Sequence, residues 1–310
     1  MKRFLIIPVL IIAVVALLFI SNPATNTDSG DKIKVAVSIR PLADLVKQVG
    51  GEYVETITVL PDGSSPHTYE PMASDLAKLN NTKIAFMIGQ NLDDWALTML
   101  QSGISTEYKT IDLSQDIDLL ISDHEHDEDE EEHEEEEEHD EDENYDPHYW
   151  LSYTNAKIMV NRIAEELASI DAGNKDYYLA NATTYNKELD KARTAAVAKL
   201  ANLPTNGIIT FHNAYQYFAN DLGLEIVATV HPFPGNEPTA QYLAEVGEVI
   251  NTYNIKTLFR EPELSDAVVA ALAADYGAKI ETLNPLGVAN SSFIEMMTYN
   301  VDTITKALSN

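Results

Sequence analysis

The sequence predicts an α/β protein of two lobes, each a parallel sheet flanked by helices, joined by one long connecting helix. Three observations lead to this fold class. Short runs of β-branched residues alternate with helical stretches in residues 33–88, and the same alternation returns in residues 207–276. Between these regions, residues 174–201 contain neither Pro nor Gly and are rich in Ala, Leu, Lys and Glu, which favours one long helix.

The first alternating region begins with a β-branched strand pattern and a helix that a Gly-Gly pair ends. Its predicted elements, in chain order, are a strand at Ile33–Val37, a helix at 42–49, a strand at 54–60, a loop at 61–71, a helix at 74–79 and an apolar run at 84–88.

The second region follows the same rules, with Gly223 and Gly277 as helix stops and Ser265 as a helix cap. Its predicted elements are a strand at 207–211, a helix at 215–222, a strand at 225–230, a helical stripe at 243–253, a strand at 257–259 and a helix at 266–276.

Residues 1–31 are predicted to be an N-terminal membrane anchor or signal peptide followed by a linker. Lys2 and Arg3 precede an apolar run at 4–20 and a polar stretch follows, which is the order of an export signal. We expect the folded body to be extracytoplasmic, tethered by residues 4–20 or secreted after cleavage. The other predicted domain bounds are an N-terminal lobe at 32–173, the connecting helix at 174–202 and a C-terminal lobe at 203–310.

Composition excludes several partners and chemistries. The 310-residue chain has 50 acidic and 20 basic side chains, and its formal charge of -30 repels nucleic acids and anionic lipid surfaces. Cysteine is absent, so disulfides, thiolate metal sites, cysteine nucleophiles and a lipid-modified cysteine are excluded. A metal ion would have to bind through nitrogen or oxygen atoms.

The acidic charge is concentrated in residues 123–143, which contain 17 carboxylates and 4 histidines. Like charges repel, and the segment has no apolar side chains to bury, so we expect a disordered loop. His124, His126, His133 and His139 are interpreted as auxiliary groups that capture metal weakly and concentrate cations nearby.

Four histidines lie outside the acidic segment. His67 and His212 each follow a predicted strand, and open α/β sheets place their ligands at the carboxyl ends of strands. His148 comes just after the acidic segment. If the two lobes face each other, these three imidazoles converge from both and suit a borderline transition metal. His231 is interpreted as a histidine of the cleft edge or the surface.

Neighbouring polar residues are given supporting roles, because a ligating histidine usually donates its second ring nitrogen to an oxygen. Tyr69 and Glu70 are expected to orient His67. Glu261 is expected to pair with Arg260 or to support the cleft.

Six motifs in a fixed order connect the chain to a known family. They are Pro-His-Thr-Tyr-Glu-Pro at 66–71, Asp-Pro-His-Tyr-Trp-Leu-Ser at 146–152, Phe-His-Asn-Ala-Tyr at 211–215, Glu-Pro-Thr at 237–239, Phe-Arg-Glu-Pro at 259–262 and Leu-Asn-Pro-Leu-Gly at 283–287. Through these motifs, residues 32–310 resemble the ZnuA and TroA group of metal-binding solute-binding proteins of ABC importers. The resemblance implies one metal ion in the interlobe cleft, held by His67, His148 and His212.

The fourth ligand departs from the family pattern. Many members of that group have Asp where this chain has Asn284, so the fourth place is expected to be taken by Asn284, a water molecule or a carboxylate from elsewhere. Three neutral imidazoles with a weak fourth donor favour Zn²⁺, whereas manganese and iron sites of the family tend to add carboxylates. We therefore predict Zn²⁺ as the transported ligand and treat Mn²⁺ as less favoured.

The predicted function is a high-affinity extracytoplasmic zinc receptor, a monomer that catalyses no reaction and delivers its ion to an ABC permease subunit in the membrane. A manganese or iron receptor is the alternative within the family. A secreted zinc hydrolase is an alternative from another class, since three His and a water also form catalytic zinc sites, but no His-Glu-x-x-His motif occurs. A surface metal buffer, in which residues 123–143 alone bind the ion, is a further alternative.

Overall fold

Two four-stranded parallel sheets form the framework of the protein, and they confirm the predicted fold class. The computed structural model describes residues 32–103, 108–122, 144–231, 238–263 and 267–309. The N-terminal segment 1–31 and the acidic segment with His124, His126, His133 and His139 lie outside these residues, so what was predicted for them stays a prediction. Within the described residues, no helix has the length and apolar character needed to cross a bilayer.

Both sheets have the same strand order, with the first strand of each lobe in the interior. The first sheet has the order β2-β1-β3-β4, formed by β1 (Ile33–Val37), β2 (Val54–Thr58), β3 (Ile84–Met87) and β4 (Lys109–Asp112). The second has the order β6-β5-β7-β8, formed by β5 (Gly207–Thr210), β6 (Glu225–Thr229), β7 (Thr257–Arg260) and β8 (Lys279–Thr282). In each lobe the chain switches direction across the sheet after its second strand, which opens a crevice at the carboxyl ends of the strands.

Helices cover the sheets and connect the lobes. They are α1 (Arg40–Gly50), α2 (Ala73–Leu76), α3 (Asp94–Gly103), α4 (Tyr153–Ile170), α5 (Lys175–Leu200), α6 (Gln216–Leu222), α7 (Ala240–Thr252), α8 (Ala267–Tyr276) and α9 (Phe293–Leu308). Helices α3, α4 and α9 and strands β4 and β8 go beyond the elements that the sequence pattern predicted.

Helix α5 is the predicted long helix, and it contacts both lobes. Near its start, Asn181 Nδ2 donates a hydrogen bond to Val49 O at the end of α1, at 2.9 Å. Near its end, Arg193 Nε donates to Asp221 Oδ1 in α6, at 2.8 Å. The helix is therefore fixed at both ends and acts as a stiff strut.

One apolar core extends through both lobes. It includes Phe86 of β3, Ile163 of α4, Leu189 of α5, Phe218 of α6 and Phe259 of β7, all of them buried. Because this core is continuous, separating the lobes would expose apolar surface to water, and wide opening is disfavoured.

Asp221 ties three helices together. Its carboxylate, only 5% exposed, accepts hydrogen bonds from Tyr153 N (2.8 Å) and Thr154 Oγ1 (2.7 Å) at the start of α4 and from Arg193 of α5. The negative charge also lies at the positive N-terminal end of α4.

We expect Asp221→Ala to lower the free energy of unfolding by about 2–4 kcal/mol, because charge-assisted hydrogen bonds are lost and buried donors are left unpaired. Asp190→Ala is the matched control, since Asp190 is 56% exposed and pairs with Lys157 on the surface, where an ion pair contributes about 0–1 kcal/mol. Urea unfolding followed by circular dichroism measures both. Equal effects of the two substitutions would contradict the role given to Asp221.

Candidate metal centre

The carboxyl ends of the strands bring together the polar residues of the cleft. In the first lobe His67 follows β2, and in the second lobe His212 follows β5 and Glu261 follows β7. Strands β5 and β7 are neighbours in the sheet, so His212 and Glu261 leave it side by side. This placement agrees with the expectation drawn from the sequence for His67 and His212.

The loop that carries His67 is held by local hydrogen bonds. Thr68 N donates to Ser65 O at 3.3 Å, which forms a tight turn around the histidine. Trp95 Nε1 of α3 donates to Pro66 O at 3.0 Å and fixes the loop to the body of the lobe. His67 is consequently presented to the cleft by a loop with few ways to move.

His148 is oriented by Asp146. The Asp146 Oδ1 atom accepts from His148 N at 2.9 Å and from His148 Nδ1 at 2.7 Å. Both side chains are buried. The short Asp-Pro-His spacing therefore produces a histidine whose Nδ1 carries the proton and whose Nε2 faces the cleft with a lone pair.

A short antiparallel pairing fixes the chain that leads into His148. Ser122 N donates to Asn144 O and Asp146 N donates to Leu120 O, each at 2.8 Å. The residues directly before and after the acidic segment, Ser122 and Asn144, are therefore hydrogen-bonded neighbours.

His212 has an equivalent carboxylate partner. Its Nδ1 lies 2.6 Å from Glu261 Oε1, and both side chains are buried. This contact defines the cleft-supporting role that was expected for Glu261. As with His148, the arrangement leaves Nε2 as the lone-pair nitrogen that faces the cleft.

The three imidazoles converge on one point. His148 Nε2 lies 3.0 Å from His67 Nε2 and 3.3 Å from His212 Nε2, and one ring nitrogen from each histidine falls within a group no wider than 4.8 Å. Two nitrogens bound to one tetrahedral Zn²⁺ at about 2.0–2.1 Å are about 3.3 Å apart. Since His148 and His212 present lone pairs to each other, a cation between them turns an unfavourable contact into a favourable one.

Electrostatics favours the neutral form of His67. Burial in the cleft, together with the nearby His148 and His212, lowers the pKa of the His67 imidazole to about 2. A neutral imidazole keeps the lone pair that a metal ion needs.

Other candidate residues lie elsewhere. Asn284 is buried, but its Oδ1 accepts from Leu286 N at 3.0 Å and its Nδ2 donates to Gly287 O at 3.2 Å, so the amide stabilises its own loop. His231 stacks on the ring of Phe211 with an interplanar angle of 10°.

Tyr69 and Glu70, the residues expected to orient His67, have other surroundings in the structure. The Tyr69 hydroxyl donates to Asp75 Oδ2 at 2.8 Å, and Glu70 is exposed. The prediction that Tyr69 orients His67 is wrong, because the Tyr69 hydroxyl donates its proton to Asp75, which also accepts from Met72 N.

Glu263 is a cavity residue that the sequence did not single out. It lines the same cavity as the three histidines, and its pKa is raised by burial and by the negative charge of Glu261. The available signal was its position two residues after Glu261, in the turn that follows β7.

The chemistry of this centre is that of a nitrogen-rich cation site. Three ring nitrogens face one point, two of them with a lone pair fixed by a carboxylate on the other nitrogen, and two buried carboxylates behind them offset positive charge. The cavity that they line is small. Such a site binds a borderline divalent transition metal.

Comparison with known proteins gives one consistent result. A family model described as zinc-uptake complex component A, periplasmic, matches residues 35–307. The manganese ABC transporter substrate-binding lipoprotein PsaA of Streptococcus anginosus is 26% identical over 322 residues, covering 100% of both chains. The high-affinity zinc uptake system protein ZnuA of Bacillus subtilis is 29% identical over 299 residues, covering 93% of this chain and 91% of that one. A crystal structure of ZnuA superposes with a TM-score of 0.79 at 30% identity, covering 90% of this chain and 100% of that one.

The carboxylate contacts predict one tautomer for two of the histidines. In the metal-free protein under mildly alkaline conditions, we expect His148 and His212 to carry their proton on Nδ1, and ¹⁵N-histidine NMR measures this directly. Asp146→Ala should allow His148 to populate the other tautomer while His212 stays unchanged. A proton on Nε2 of either residue in the unsubstituted protein would contradict the arrangement.

Proposed function

Because this chain belongs to the ZnuA family of metal-binding, solute-binding components of ABC importers, we propose that it is a high-affinity zinc receptor that works outside the cytoplasm. Zinc is its cargo, and His67, His148 and His212 are the ligands. The partner that receives the ion is a permease subunit in the membrane.

The convergence of three Nε2 atoms is the observation that carries this proposal. The three histidines come from separate segments of the chain, and two of them have a buried carboxylate on Nδ1. Carboxylate contacts of this kind fix the tautomer and raise the basicity of an imidazole ligand. The arrangement supports capture of a metal ion by a site that exists before the ion arrives.

The donor set favours zinc over manganese. The relatives include proteins named for each ion, so family membership alone leaves the choice open. Imidazole suits Zn²⁺, whereas Mn²⁺ prefers harder oxygen donors and a higher coordination number. A site of three imidazoles therefore binds Zn²⁺ more tightly than Mn²⁺.

The function we propose is capture and delivery without catalysis. The ion displaces water from the cleft and binds the three imidazoles, and the lobes move little because they share a core and the strut α5. The loaded protein then docks on the permease, and release of the ion is driven by the importer.

Removing any one ligand should abolish tight binding. We expect His67→Ala, His148→Ala and His212→Ala each to weaken Zn²⁺ binding by more than about 100-fold, beyond the range typical of supporting groups. His231→Ala is the matched control and should bind Zn²⁺ normally, since His231 stacks on Phe211. Titration calorimetry with Zn²⁺ and Mn²⁺ measures both affinities. Tight Mn²⁺ binding with weak Zn²⁺ binding would favour the manganese receptor instead.

Deleting residues 123–143 separates a cleft receptor from a surface buffer. We expect the shortened protein to keep one tight Zn²⁺ site with an affinity changed by less than about 10-fold, because residues 122 and 144 are already paired and His148 keeps its support. The loss should be confined to weak additional binding. Disappearance of the tight site would show that the acidic segment, and not the cleft, binds the ion.

A further inference from the structure

Glu263 has a buried carboxylate oxygen that nothing satisfies. The Oε2 atom is inaccessible to solvent and has no hydrogen-bond partner among the residues that the structure describes. The side chain lies in the wall of the cavity formed by the three histidines. Buried polar atoms in folded proteins normally have a partner, so an unsatisfied one indicates a group that binds there.

The nearby cation does not fill this role. Arg40 lies beside Glu263 in an adjacent cavity. Its Nη1 donates to Gly287 O at 2.6 Å, and its Nη2 pairs with Asp62. The guanidinium is thus committed to other acceptors.

The residue at the family's usual fourth position is also committed. Both polar atoms of the Asn284 amide form hydrogen bonds within its own loop. Asp146 and Glu261 each accept from a histidine, His148 and His212, through one oxygen. Asp146 Oδ2 is also buried without a partner, but Asp146 does not line the cavity. Among the described acidic residues that line the cavity, Glu263 is the one whose oxygen is unengaged.

We propose that Glu263 is the fourth protein ligand of the bound ion. This inference rests on the proposed function, because it concerns the same site. The carboxylate is not part of the compact group of three ring nitrogens, so it must turn toward the ion by a change of side-chain rotamer. Glu263 occupies a turn after β7, where such a change requires no movement of the sheet.

The ligand would alter both charge and selectivity. Three neutral imidazoles bring no charge into direct contact with a divalent ion, and Asp146 and Glu261 act on it only from behind the rings. One directly bound carboxylate places a full negative charge next to the ion. The added oxygen is a hard donor, so it contributes relatively more to Mn²⁺ than to Zn²⁺. Glu263 thus takes over a role that Asn284 does not perform.

The experiment compares Glu263→Gln with Asp62→Asn in the full chain. Each substitution removes one negative charge near the cleft with little change in size, but Asp62 pairs with Arg40 and is exposed. We expect Glu263→Gln to weaken Zn²⁺ binding by about 10- to 100-fold and Mn²⁺ binding by more, measured by titration calorimetry. Asp62→Asn should change the affinity by less than about 3-fold, as a long-range charge effect would.

Two further readouts distinguish a ligand from a structural residue. The visible absorption of bound Co²⁺, which reports its coordination, should change in Glu263→Gln and stay the same in Asp62→Asn. The melting temperature of the metal-free protein should be unchanged or higher in Glu263→Gln, since an unsatisfied buried charge is removed, while the increase produced by Zn²⁺ should shrink.

Two outcomes would overturn the inference. Equal losses of affinity in Glu263→Gln and Asp62→Asn would assign the effect to the overall field. Unchanged Zn²⁺ affinity and Co²⁺ spectrum in Glu263→Gln would show that water or Asn284 takes the fourth place. In either case, loss of binding in the three histidine variants would leave the proposed function standing.

Discussion

The continuous apolar core between the lobes is the constraint on which the rest of the structure depends. It connects the first sheet, helices α4 and α5 and the second sheet, and it thereby sets the distance between the two edges where the strands end. His67 and His148 are 81 positions apart in the chain, and His148 and His212 are 64 positions apart. Their nitrogens nonetheless meet, because each histidine is attached to an edge that this core holds in place. Folding has already brought the three side chains together, so binding of the ion costs little further conformational entropy.

Much of this arrangement could be predicted from the sequence. The contacts that were not predicted, or were predicted wrongly, have identifiable physical reasons. His67 and His212 were found because parallel strands place ligands after their carboxyl ends, and the helix α5 because a long segment without Pro or Gly has few other options. The contact between His212 and Glu261 depends on β5 lying next to β7, and strand order is a tertiary property that a one-dimensional pattern does not contain. The role of Tyr69 failed similarly, since Asp75 competes for its hydroxyl.

The buried carboxylates give the centre its character. An imidazole alone can present either nitrogen, and only a fixed partner selects one. Asp146 and Glu261 make that selection from different lobes, one through a turn of its own chain and one through the neighbouring strand. The two solutions are physically independent, so a change in one histidine's support leaves the other intact. The same carboxylates supply a negative potential that a divalent cation meets on entering the cleft.

The paired residues on either side of the acidic segment have a consequence for how this chain can vary. Ser122 and Asn144 form the stem of that insertion, and Asp146 belongs to the same pairing. The entropy cost of joining two fixed chain ends rises by only about 0.6 kcal/mol for each doubling of the number of residues between them. Because the two ends of the segment are hydrogen-bonded to each other, its length has almost no effect on the position of His148. The number of residues between Ser122 and Asn144 can therefore change while the contact between Asp146 and His148 keeps its geometry.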